Sequence, residues 1–185
     1  MLDILMPAHR PNYPLMAHRA MKVMNGEPET SISGSLVSAV NRTPLAGKVV
    51  LSLEGGKHQD FEAAEAYLST QNLPWQIILN DQVEGYHPAV LRGLEKCTAP
   101  HVAIVPPWHE IVDDLWVQRM SWCLKRDQAS LLCTTLDTEG PAKDLAPHVA
   151  QPRKWPGGEI IMARRVDLMN MWRMLDPENF YADLA

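Results

Sequence analysis

A few short stretches of this 185-residue chain hold side chains able to do chemistry. His9-Arg10, Glu54-Gly55-Gly56-Lys57 and Arg92 combine cationic groups with a glycine turn, the ingredients of an anion site. His109-Glu110 offers an imidazole and a hard carboxylate suited to a divalent cation, with Asp113-Asp114 close behind. Each pattern also has a plain reading. Gly55-Gly56-Lys57 lacks the other positions of a phosphate loop. Arg92 can pair with Glu84 or Glu95 on a helix surface, and Asp113 or Asp114 suits a helix start. The remaining histidines show no zinc spacing, and no Gly-x-Ser-x-Gly elbow or Ser/His/Asp arrangement is present.

The elements between these stretches alternate in type. Short apolar runs at 2–6, 48–53, 75–79, 101–105, 129–133 and 159–162 predict strands. Helical spacing follows each of the first four. Leu15, Ala20, Met21 and Met24 approximate a stripe behind Pro14, and Asp60 can cap a helix with Phe61, Ala64, Tyr67 and Leu68 on one face. A third helix starts near His87. A fourth carries Trp116, Met120, Cys123 and Leu124, and a last one runs over 165–174.

This alternation predicts one α/β domain over 1–185, Rossmann-like, with a mainly parallel twisted sheet and helices on both faces. Ligands of such folds sit beyond the C-terminal ends of the strands. That rule selects the loops 7–11, 54–57, 80–87 and 106–110, which should converge. Residues 26–47, rich in Ser, Thr and Gly, are too long for an ordinary turn and read as an inserted loop or arm. Residues 134–158, with four prolines, oppose regular structure.

Composition narrows the function classes. A hydrophobic content of 46% supports a sizeable core, and a net charge of −5 argues against a nucleic-acid surface. No apolar run is long enough for a membrane span, and the N-terminus opens on a strand instead of a signal peptide. Cys97, Cys123 and Cys133 lack metal spacing and read as buried thiols in a reducing, cytoplasmic setting.

Over residues 75–116 the order strand, Gly-containing turn, helix, strand resembles the middle of family-2-type glycosyltransferases with the GT-A fold. Asn80, Gly85, Arg92 and Gly93 fall in or near the matching places. Residues 2–11 look like that family's first strand and turn, with Pro7 and Arg10 in place. Glu54-Gly55 stands where the family has an Asp-Gly step. The resemblance implies a nucleotide site of Pro7, His9, Arg10, Glu54, Gly55 and Arg92, with Glu54 on the base. It implies Asp183 as the catalytic base that deprotonates an acceptor hydroxyl. The family's Asp-x-Asp metal motif is replaced by Pro106-Pro107-Trp108, so Mg or Mn in an active enzyme would fall to His109 and Glu110. The missing motif points to a glycosyltransferase-like protein with weakened or lost catalysis. Such a protein would act as a binding or structural module with a protein partner or a second copy, in a virion if the chain is phage-encoded. The alternatives are an active compact nucleotide-sugar-dependent glycosyltransferase and another nucleotide-binding α/β domain.

Overall fold

The computed structural model describes residues 1–8, 32–43, 46–55, 59–107, 111, 113–126, 131–133 and 160–175. The strands are β1 (Leu2–Ala8), β2 (Ala46–Glu54), β3 (Trp75–Asn80), β4 (His101–Ile104), β5 (Leu131–Cys133) and β6 (Ile161–Arg164). They form one six-stranded sheet in the order β3-β2-β1-β4-β6-β5. The first four neighbours run parallel, and β6 is antiparallel to both β4 and β5. The mainly parallel sheet expected from the alternation is therefore observed, with one reversed strand near its far edge.

Helices α1 (Ile32–Asn41), α2 (Gln59–Ser69) and α4 (Trp116–Arg126) contribute to one core; α3 (Tyr86–Lys96) and α5 (Arg165–Met174) contribute to another. The period-2 alternation of strand side chains divides β1 between them. Ile4 and Met6 enter the first core with Leu51, Phe61 and Met120, whereas Leu5 enters the second with Val50, Ile104 and Trp172. The sheet is covered on both faces, as short apolar strands require. Of the expected stripes, Phe61, Ala64 and Leu68 on α2 and Trp116, Met120 and Cys123 on α4 are buried, while Tyr67 and Leu124 are partly buried against the same core. No helix among the described residues is long and apolar enough to cross a membrane.

Several expected boundaries move. β1 continues through Pro7 and Ala8, where a loop was expected from residue 7. The Val105 N–H donates to the Leu5 carbonyl at 2.8 Å, so the backbone groups of Leu5 face β4. Alternation turns Pro7 the same way, where β4 has already ended at Ile104, and its missing N–H leaves no gap in the ladder. Helix α2 begins at Gln59, which puts Asp60 inside the first turn instead of before it. The larger correction concerns 26–47. Its residues 32–41 are helix α1, whose Leu36, Ala39 and Val40 are core residues, so this part is no surface arm. The helix expected around residues 15–24 and the proline-rich 134–158 lie outside the described residues.

Candidate functional site

Glu54 ends β2 at the C-terminal side of the sheet, where the fold places ligands. Its side chain has no exposed surface. One carboxylate oxygen, Oε2, accepts the N–H groups of Glu84 at 3.0 Å and Gly85 at 2.6 Å. The other, Oε1, accepts the Arg92 guanidinium. Arg92 also pairs with Glu84, so Glu54, Arg92, Glu84 and the loop backbone form one closed network.

The local sequence explains why the network closes. Gly85 precedes α3 with φ 105 and ψ 177, a conformation open to glycine and strained for other residues. That turn directs two successive N–H groups back toward β2. Arg92 lies on α3 two turns beyond, on the flank that returns to Glu84. Gly93 beside it allows α3 to lie directly on β1. A Cβ at Gly93 would come within 2.1 Å of the Leu5 Cδ1. Gly55 turns the chain out of β2 with φ 83, and its N–H donates to the Asn80 carbonyl at 2.9 Å.

A second set of ties holds the segment after β4. The Ser35 hydroxyl of α1 donates to the Pro107 carbonyl at 2.7 Å. The Ser38 hydroxyl accepts the Ile111 N–H at 3.0 Å and donates to the Ser35 carbonyl at 2.9 Å. Neither serine drew attention in the sequence, because their partners are more than 70 residues away. Asp3 was also missed. Buried at the start of β1, it accepts the N–H groups of Thr98 at 2.5 Å and Ala99 at 2.8 Å, fixing the turn into β4. An acidic residue inside an otherwise apolar strand was its only sequence signal.

The structure brings together Glu54, Gly55 and Arg92 from the expected nucleotide set, and Pro7 stands one strand away, paired with Ser52 of β2. His9, Arg10, His109, Glu110 and Asp183 lie outside the described residues. Arg92 pairs with Glu84, the plain alternative to a phosphate contact, and with Glu54 besides.

The described residues that follow β4 form no metal-ligand set of their own. Pro106 and Pro107 are buried and carry no side-chain oxygen. Asp113 Oδ1 accepts the Leu115 N–H at 2.9 Å before α4, while its other oxygen lies 3.3 Å from Arg119. Asp114 pairs with Arg42 at 3.0 Å. These two carboxylates therefore act as a helix start and ion pairs, and no group of three His, Cys, Asp or Glu suited to a metal occurs among the described residues.

Cys97 and Cys123 are buried free thiols, as expected. Burial, reinforced by Asp3, pushes the Cys97 thiol up to about 12, so it is no nucleophile near neutral pH. His87 is buried too. Its Nε2–H donates to the Trp172 carbonyl at 2.6 Å while the two rings stack with centroids 6.4 Å apart, a contact that joins α3 to α5.

No protein-family model matches the chain, and no curated protein does. Solved structures do. A nucleotidyl transferase from Methanothermobacter thermautotroptrophicus superposes with a TM-score of 0.56 at 16% identity, over 95% of this chain and 77% of that one. A CMP:2-keto-3-deoxy-manno-octonic acid synthetase complexed with CTP gives 0.55 at 11%, over 98% and 81%. A mannosyltransferase from Pyrobaculum calidifontis in complex with GDP-Man and Mn2+ gives 0.54 at 14%, over 92% of this chain and 46% of that longer one. At these identities the likeness concerns the fold: this chain is a GT-A-like α/β domain, with the architecture shared by nucleotidyl transferases and glycosyltransferases.

Proposed function

We propose that this protein is a transferase-like domain with weakened or lost catalysis, acting as a binding or assembly module. One observation carries the reading. Two features among the described residues that would attract a phosphate, the N-terminal turn of α3 and the Arg92 guanidinium, both face the Glu54 carboxylate. The chain's own anion sits where a ligand's anion would be stabilised. A phosphate entering there would have to displace a buried, charge-assisted network, which costs several kcal/mol before any gain. In the sequence, Pro106-Pro107-Trp108 in place of an Asp-x-Asp motif supports the same conclusion for a metal-bound diphosphate.

Calorimetric titration tests this. The folded protein is titrated with CTP and with UDP-, GDP- and dTDP-sugars, with and without Mn2+. The expected result is no saturable heat at ligand concentrations up to the millimolar range. Metal-dependent binding tighter than about 100 μM, roughly −5.5 kcal/mol, overturns the proposal. Such binding restricted to one nucleotide-sugar favours an active compact glycosyltransferase.

A second reading has support of its own, because the fold is shared with nucleotidyl transferases as well as with a mannosyltransferase. On that reading the domain binds a free nucleotide with no preference for an attached sugar. Saturable heat from CTP alone, equal to that from its sugar conjugates, distinguishes it.

A further inference from the structure

The free edge of β3 has the composition and hydrogen-bonding pattern of a pairing surface. Among the described residues β3 is the first strand of the sheet order and pairs with β2 on one side only. The Val49 N–H donates to the Pro74 carbonyl at 3.0 Å, and the Gly55 N–H to the Asn80 carbonyl at 2.9 Å. Between these bonds the register runs without a bulge from Val49–Trp75 to Glu54–Asn80. A parallel ladder of this phase turns the backbone groups of Gln76, Ile78 and Asn80 toward β2. It turns those of Trp75, Ile77 and Leu79 outward, and no hydrogen bond is made to them by any described residue.

Exposed edges of native sheets are normally blunted by charge, proline, a bulge or shortness. The opposite edge, β5, has three described residues. β3 has six, Trp-Gln-Ile-Ile-Leu-Asn, with no charged residue and no proline. Trp75 and Ile77 are only partly buried against the first core, and Leu79 is 40% exposed. The edge is also self-complementary. With Ile77 at the centre, an antiparallel copy sets Trp75 against Leu79 at both ends.

We propose that this edge pairs with the β3 of a second copy of this chain, antiparallel, about a two-fold axis at Ile77. The facing pairs Trp75–Leu79, Ile77–Ile77 and Leu79–Trp75 then each exchange two N–H···O bonds, and all the outward groups of both strands are used. Trp75 of each copy covers the exposed Leu79 of the other, an aromatic–aliphatic cross-strand pair. Asp81, just past the strand, falls opposite Leu73 and not opposite its own copy, so no like charges meet. The two sheets become one continuous twelve-stranded sheet, and the ligand end of each domain stays clear of the junction because the pairing is lateral.

Sedimentation equilibrium of the whole chain from about 1 to 100 μM, with amide hydrogen exchange at the same concentrations, tests the pairing. The expected species has twice the mass of one chain, and the Trp75, Ile77 and Leu79 amides gain protection as it forms. Leu79→Lys changes an exposed side chain and should leave the fold intact. It places a charge at both ends of the junction, so dimerisation should weaken roughly tenfold or more. Ile77→Pro removes an outward N–H that β2 does not use and should abolish pairing. A single-chain mass throughout, or fast and concentration-independent exchange at these three amides in any species, overturns the proposal.

Discussion

Replacing Glu54 by Ala removes the acceptor for two backbone N–H groups and the partner of Arg92 at once. Each charge-assisted bond contributes about 1.5–3 kcal/mol, but the loss is not their plain sum. Arg92 keeps Glu84 as a partner and is 28% exposed, so water rehydrates much of the guanidinium. The Gly85 N–H is buried and has no such recourse. The net cost should be about 3 kcal/mol, the lower end of the range for breaking a buried pair. For a chain of this size that lowers Tm by about 6–12 °C. Glu54→Gln retains an acceptor oxygen for the loop but turns an amide toward Arg92, and should cost about half as much. Urea unfolding of Glu54→Ala, Arg92→Met and the double variant gives the coupling, expected at about 1–2 kcal/mol. A Glu54→Ala cost below about 1 kcal/mol, or strict additivity with Arg92→Met, refutes the claim that this network holds the β3–α3 loop.

Gly93→Ala forces a Cβ to within 2.1 Å of the Leu5 Cδ1 in a fully buried setting, so urea unfolding should show a loss of about 1–3 kcal/mol, less in a Leu5→Val background. Gly85→Ala strains a residue at φ 105 and should cost about 1–3 kcal/mol, with the amide exchange of Glu84 and Gly85 rising in parallel. Alkaline pH should also destabilise the fold. The Cys97 thiol, pushed up to about 12 from an ordinary 9.0, holds its proton more tightly when folded, so its contribution is whole below pH 9 and is lost as pH rises toward 12. Burial raises the Tyr86 hydroxyl from 10.0 in the same sense. Cys97→Ala should flatten the slope of unfolding free energy above pH 9.

Most of the fold was legible because strand and core signals are local. The apolar runs of β1 to β4 and the stripes of α2 and α4 can be read from windows of a few residues. α1 was misread because its polar residues look like a surface segment. Ser38 donates to the Ser35 carbonyl at 2.9 Å and Thr43 to the Ala39 carbonyl at 2.6 Å, so the hydroxyls are satisfied within the helix region and can be buried. The site was legible only in part for a related reason. A carboxylate at a strand end reads the same in sequence whether it faces a ligand or N–H groups thirty residues further on. Glu54 was placed correctly in the fold, but its partners belong to a loop whose return depends on the positive φ of Gly85.

The ties at the ligand end share one property: each joins a loop to a neighbouring element through groups that belong to the chain itself. Glu54 fixes the loop before α3, Asn80 fixes Gly55, and Ser35 and Ser38 fix the segment after β4. A site that waits for a charged ligand keeps some of its polar groups free to be completed on binding. Here the Glu84 and Gly85 N–H groups and one edge of the Arg92 guanidinium are already taken by a carboxylate of the chain. The physical consequence is a β3–α3 loop held in place by the chain's own carboxylate, whose local opening should require nearly the stability of the Glu54 network. Amide exchange at Glu84 and Gly85 measures that opening directly. Slow exchange in the ligand-free protein, unchanged by nucleotide and Mn2+ and accelerated by Glu54→Ala, is the outcome expected of a domain whose β3–α3 loop is built to hold its shape. Exchange that is fast alone and slowed by nucleotide would mean instead that the network opens readily and the site still receives a ligand.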